Sequence, residues 1–216
     1  MTGDTPNAAQ LQGIADPFVR QLAALGRLRT YPKNTVFITE GDSSDSVFVI
    51  LTGRVKVFIS DSEGHEMILD TQGPEEYVGE MALDGKPRSA SVMTLEPSTF
   101  SVIARDPVRE AIRRNPDFAL DMISRIIDRA RIATSSVKDL ALLDVYGRVA
   151  RLLLNMAVEA DGKLAIPDKI TQQEIAERVG ASRDMVSRIF RDLTAGGYIK
   201  VENRIITITK KPPARW

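Results

Sequence analysis

The residues best equipped for chemistry fall in "GEMALDGKPRSASV", residues 79–92, where an acid, Glu80, and a base, Arg88, stand eight positions apart. Small, unreactive side chains surround both. Gly79 and Ala82 allow close backbone approach, and Gly85 with Pro87 shapes a turn between the two charges. After Arg88 come Ser89 and Ala90, whose backbone N–H groups lie beside the guanidinium. That grouping is a receptor for one phosphate, because a guanidinium binds two oxygens at once. A carboxylate touching the phosphate would repel it; held apart, it accepts a hydrogen bond from a sugar hydroxyl. Phosphate at one end and ribose hydroxyl at the other measure out a nucleotide. A direct Glu80–Arg88 ion pair across the loop is the competing arrangement.

A second set lies in "ITQQEIAERVGASRDMVSRIFRDLTAGGYI", residues 170–199. Thr171 followed by Glu174 reads as a capping box that starts a helix. Ile175, Ala176 and Val179 form its inner face, and Gly180 ends it. Ser182 then caps a second helix after a short turn. On that helix Val186, Ile189, Phe190 and Leu193 follow the i, i+3, i+4, i+7 rule and point inward. Arg183, Asp184, Ser187, Arg188 and Arg191 are left facing out. Arginine pairs with guanine O6 and N7, and aspartate accepts from the cytosine amino group, so this face suits a major groove. Thr171, Gln173 and Ser182 stand where helix starts meet phosphate oxygens. An ordinary solvated helix face is the alternative.

Other chemistry is thinly represented. Cysteine is absent, which excludes disulfides, thiolate-held iron–sulfur clusters and thiol switches. The one histidine, His65 in "SEGHEMIL", builds no zinc site alone and is expected on the surface of a hairpin; haem ligation is the alternative. With no paired-carboxylate motif, nucleophile elbow or metal cluster, neither a catalytic residue nor a metal or covalent cofactor is expected. The chain does not read as an enzyme.

The elements that must position these residues follow from the patterning. A length of 216 residues, 43% hydrophobic and 27% charged, suits a soluble protein of two domains. No apolar run is long enough to span a membrane, and "MTGDTPNAAQ" lacks the features of a signal peptide, so a cytoplasmic location is expected. The zero net charge hides an asymmetry: residues 144–216 carry 13 Lys and Arg against 9 Asp and Glu, the first 143 carry 16 against 20. A basic rear half fits nucleic-acid binding.

Leu11, Ile14, Phe18, Leu22 and Leu25 predict one short amphipathic helix ending at Gly26. From Leu28 to Ile103, brief runs such as "SVFVIL" and "RVKVFI" alternate with turn signals and predict an antiparallel sandwich or barrel. Between Phe118 and Leu143 there is no Pro or Gly. Ile123, Ile126, Ala130, Ala133, Val137 and Leu140 repeat every seven residues as one seam. A parallel two-fold homodimer would cover that seam; packing against the chain's own sheet is the alternative. After Asp144 come a helix, "VYGRVARLLLNMAVE", a loop, "ADGKLAIPDK", the helix pair above, and a two-stranded wing turning near Glu202-Asn203.

"GEMALDGKPRSASV" resembles the phosphate-binding cassette of cyclic-nucleotide-binding domains, G-E-x-A-L…P-R-[S/A/T]-A. With "ITQQEIAERVGASRDMVSRIF" and "LDVYGRVARLLL" behind it, nearly the whole chain resembles the catabolite-activator and fumarate-nitrate-regulator (Crp/Fnr) family of bacterial transcription factors. The resemblance implies an α+β chain: a cyclic-nucleotide-binding β-roll with an N-terminal helix (1–116), a dimerisation helix and hinge (117–143), and a winged helix-turn-helix (144–216). It implies Glu80 on the ribose 2′-hydroxyl, Arg88 and Ser89 on the cyclic phosphate, and backbone help from Gly79, Met81, Ala82 and Ala90. Thr134, with neighbouring Ser135, would reach the base, and Arg183, Asp184 and Arg188 would read DNA. The implied effector is 3′,5′-cyclic AMP; the implied partners are a near-palindromic DNA duplex, a second copy of the chain and RNA polymerase.

Four departures stand out. The loop from Glu80 to Arg88 is shorter than in the family's best-known cyclic-AMP receptor. Counting back from "LDV", Ala133 stands where relatives carry a hydroxyl, Asp184 where they carry Glu, and Gln172 where they carry a contacting Arg. Cyclic GMP, another metabolite or no ligand therefore stay open as alternatives, as does a regulatory module acting on a protein partner. In the expected mechanism the effector biases the seam, and a hinge near Leu143–Asp144 passes the bias to the recognition helices.

Overall fold

The computed structural model of the chain describes residues 4–160, 163–167, 169–202 and 205–213. They form two compact units, the described residues up to Ser60 with Ile68–Arg129, and Asp61–Met67 with the described residues from Ala130 on, so the division falls inside the long helix.

The first unit opens on two helices where one was expected, α1 (Ala8–Gln12) and α2 (Pro17–Ala24). Pro17 has no N–H to continue a helix, so the chain restarts there, and Asp16 caps α2 by accepting from the N–H groups of Phe18 and Val19. Eight strands follow: β1 (Arg27–Tyr31), β2 (Val36–Ile38), β3 (Val47–Thr52), β4 (Val55–Ser60), β5 (Glu66–Gln72), β6 (Tyr77–Val78), β7 (Ser91–Thr94) and β8 (Ser98–Ile103). They make two four-stranded sheets, ordered β1-β8-β3-β6 and β2-β7-β4-β5. In register, Phe48 faces Val102 across β3 and β8, and Val57 faces Val92 across β4 and β7.

The apolar run of β3 is buried on both faces. Phe48 and Ile50 join Val92 and Phe100 between the sheets, while Val47 and Val49 pack against Phe18, Val19 and Leu22 of α2. Two more helices follow, α3 (Arg105–Arg114) and α4 (Asp117–Leu142). Phe118 and Met122 tie the start of α4 to the α2 side of the core.

Beyond Met122 the helix shows its seam to solvent within the single chain. Ile123 is 49% exposed and Val137 64%. Within the first unit, the seam residues Ile123 and Ile126 are 49% and 44% exposed and do not pack against the chain's own sheet.

The second unit contains α5 (Val145–Met156), β9 (Val158–Ala160), β10 (Lys163–Ile166), α6 (Gln172–Val179), α7 (Arg183–Ala195), β11 (Ile199–Glu202) and β12 (Ile205–Ile208). The last residues of the expected helix, Val158 and Glu159, and part of the stretch expected as a loop are instead a hairpin: α5 stops at Met156, and β9 and β10 extend the wing into a sheet ordered β11-β12-β10-β9. Of the wing turn, Glu202 ends β11 and Asn203 lies outside the described residues. Leu153, Ile175, Val186 and Leu193 form the centre of this core, each fully buried.

Arg148 on α5 ties the end of α4 to the turn between α6 and α7. It donates to the carbonyls of Leu143 and Val179 at 3.0 and 2.8 Å. Arg151 adds an ion pair to Asp139. No helix among the described residues is long and apolar enough to cross a membrane.

Candidate functional site

The cassette bridges the two sheets: it leaves β6 at Val78 and enters β7 at Ser91. Gly79 turns the chain with φ +86°, and a Cβ there would come within 2.6 Å of Arg88 Nη1 and 2.9 Å of the Ser46 carbonyl. Only glycine gives both the backbone angle and the clearance. Glu80 then opens a 3-10 turn, Glu80–Asp84, that carries Met81 and Ala82.

Arg88 is 6% exposed, and its guanidinium is folded into the protein. Nη1 donates to the Gly79 carbonyl, and Nη2 to Ser44 Oγ and the Ser46 carbonyl, all at 2.7 Å. Its backbone is also held: Arg88 N–H donates to the Asp42 carbonyl, and Gly41 N–H donates to the Arg88 carbonyl. Burial lowers the guanidinium pKa from its usual value, while Asp45, Glu80 and Asp42 pull it back up. Nε is buried without a hydrogen-bond partner among the described residues, a donor not yet spent.

Glu80 does not pair with Arg88. Its side chain is 8% exposed and forms an ion pair with Arg129 Nη1 at 2.7 Å. Arg129, from the middle of α4, also donates to the Tyr77 carbonyl at 2.6 Å and to Gln72 Oε1 at 3.3 Å, and lies over the Tyr77 ring. The direct Glu80–Arg88 pair is thus replaced by two separate charge clusters.

Reading along the sequence missed Arg129, Ser44 and Ser46. Arg129 is 49 positions from Glu80, and no local spacing links them. The one signal was a cation within a helix whose neighbouring turns are apolar.

Nearer the surface, Ser89 is exposed and its hydroxyl donates to Met81 Sδ at 3.2 Å, while Ala90 is half-buried. Of Ala82 only the backbone is described. Thr134 and Ser135 are exposed on α4, and the Thr134 hydroxyl donates to the Ala130 carbonyl one turn back. Both lie in the second unit.

In that unit the helix pair has its expected inner faces. Ile175, Ala176 and Val179 are buried on α6, and Val186, Ile189, Phe190 and Leu193 on α7. Thr171 Oγ1 accepts from Glu174 N–H and Ser182 Oγ from Met185 N–H, so both helices are capped. The capping box is only half made, because Glu174 pairs with Arg178 instead of reaching back. Gly180 ends α6 in the left-handed conformation, φ +61°.

Arg183, Asp184, Arg188 and Arg191 are exposed, and Ser187 is half-buried. Gln173 is exposed, its amide donating to Glu177. His65 is exposed beside Asp61, with no group of His, Cys, Asp or Glu fit to hold a metal among the described residues.

Residues 28–115 match the cyclic nucleotide-binding domain family, and residues 147–212 the Crp-like helix-turn-helix domain family. The chain is 33% identical over 199 residues to the cAMP-activated global transcriptional regulator CRP of Salmonella typhimurium, covering 89% of this chain and 94% of that protein. It is 29% identical over 207 residues to the CRP-like cAMP-activated global transcriptional regulator of Mycobacterium tuberculosis, covering 94% and 92%. Among solved structures, the c-di-GMP responsive global regulator CLP of Xanthomonas campestris shares the fold with a TM-score of 0.76 at 22% identity, covering 94% of this chain and 99% of that one.

Roll, capped helix pair and wing define a DNA-binding transcription regulator with a cyclic-nucleotide-binding domain. The chain belongs to the Crp/Fnr family.

Proposed function

We propose that the chain is a homodimeric regulator whose DNA binding is governed by a cyclic nucleotide, cyclic AMP in the first instance. The observation that carries this reading is Arg88: a buried guanidinium held at Gly79, next to Glu80, with its Nε still without an acceptor. A cyclic phosphate supplies that acceptor once the guanidinium turns out from Ser44 and Ser46, with Ser89 and the backbone around Ala90 beside it, and the ribose 2′-hydroxyl donates to Glu80. The backbone of Met81 and Ala82 frames the sugar.

The exposed seam of residues 117–143 pairs with a second copy, and Thr134 with Ser135 reaches the base. Arg183, Asp184, Ser187 and Arg188 read base edges, while Thr171, Gln173 and Ser182 contact phosphates. Two recognition helices about 34 Å apart meet adjacent major grooves, so the operator is a near-palindrome. RNA polymerase is the onward partner, and the site of action is the cytoplasm.

A second reading, another effector on the same scaffold, is favoured by Ala133, which offers no hydroxyl, and by the hydroxyl of Thr134 being spent on Ala130. Calorimetry of cyclic AMP and cyclic GMP with the dimer, repeated with operator DNA present, separates the readings. Saturable cyclic AMP binding that tightens DNA binding supports the first. Binding of neither nucleotide refutes the first reading, favours an effector of another kind or none, and leaves DNA recognition standing.

A further inference from the structure

A cleft of about 820 Å³ opens in the second unit between the start of α6, the flank of α7 and the wing strands. Ile175, Phe190 and Ile206, each buried, line it together with the more exposed Val201, and Lys169 and Arg191 also belong to its lining. Its size falls in the range of sites that take small organic ligands, roughly 300–1,000 Å³. Among the described residues no carboxylate lines it. Lys169 and Arg191 are exposed and have no ion-pair partner among the described residues.

An apolar interior whose described lining carries two cations and no acid selects a molecule with an apolar tail and one anionic head. We infer that this cleft binds a free long-chain carboxylate, its alkyl chain along Phe190 and Ile206 and its head at Arg191 and Lys169. Ser187 and Arg191 belong to α7 and Thr171 to the start of α6, so the cleft is cut into the helix pair that meets DNA. A bound carboxylate puts negative charge where phosphates must approach and lowers DNA affinity. This input is separate from the cyclic-nucleotide site and does not depend on it.

The test is calorimetry of the purified full-length protein with octanoate, decanoate and dodecanoate below micelle formation, paired with DNA-binding titrations. Saturable binding is expected, tightening about fifteenfold for each two added methylenes. DNA affinity is expected to fall as dodecanoate saturates. Thr194→Trp, which fills the cleft from an exposed position on α7, is expected to abolish binding while the protein still melts cooperatively. Ala195→Trp does the same from the next position, should the first variant fail to fold.

Arg191→Gln is expected to weaken dodecanoate about tenfold and leave dodecanol unchanged. No saturable binding, unchanged binding in both folded Trp variants, or equal affinity for acid and alcohol overturns the inference. Binding only to phosphatidylglycerol vesicles overturns it too, since the surface would then be reading a membrane.

Discussion

Arg88→Leu removes a ligand contact and a structural clamp together, and the two losses are separable. Three charge-assisted hydrogen bonds disappear, to Gly79, Ser44 and Ser46. Such bonds contribute about 1.5–3 kcal/mol each when well buried. These are part-buried and water reaches some acceptors, so about 1 kcal/mol apiece is the appropriate scale. Leucine returns some apolar burial, about 1 kcal/mol, leaving a net loss of about 2 kcal/mol. With a urea slope of about 2 kcal/mol per M, the unfolding midpoint falls by about 1 M. Arg88→Lys keeps the charge but cannot span three acceptors, and should lose about half as much. Urea titration followed by circular dichroism reads the stability, and calorimetry on the folded variant reads nucleotide binding, expected to be lost. An unmoved midpoint refutes the clamp, and an unmoved nucleotide response refutes the phosphate site.

Other perturbations give equally definite outcomes. Arg129→Gln leaves the Glu80 carboxylate without its partner; because Arg129 is 27% exposed, we expect about 2 kcal/mol of destabilisation, part of it recovered on adding Glu80→Gln in a double-mutant cycle. Burial pushes the Tyr77 phenol up to about 12 from its ordinary 10. A raised folded value means its contribution is complete below pH 10 and lost as pH climbs toward 12. Tyr77→Phe should flatten the fall in thermal midpoint over that window and cost nothing at neutral pH, because the hydroxyl has no hydrogen-bond partner among the described residues. Gly180→Ala forces a side chain into φ +61° but meets only Leu140 Cδ2 at 3.6 Å. It should cost about 1 kcal/mol in thermal unfolding and leave DNA affinity intact in a gel-shift titration.

The helix pair was legible because its determinants are local. Thr171, Gly180 and Ser182 act within a turn of where they stand, and the buried stripe of Val186, Ile189 and Leu193 is written at helical spacing. Strand runs such as "VFVIL" were legible for the same reason. The N-terminal break was misread because apolar spacing outweighed Asp16-Pro17, a plain restart signal. The hairpin of β9 and β10 was missed because its pairing depends on β12, more than forty residues away. For the cassette, sequence brought Glu80 and Arg88 to one loop but could not show that each already has protein partners. Those partners, Arg129, Ser44 and Ser46, come from remote segments.

Leu140 belongs to two surfaces at once: it is a seam residue, 39% exposed, and its Cδ2 stands at van der Waals distance from where Gly180 would carry a side chain. On the proposed pairing of the seam, a change at this position bears on both association and the turn between α6 and α7. Under that pairing, a residue of another size at 140 carries its effect on the seam into the packing beside Gly180.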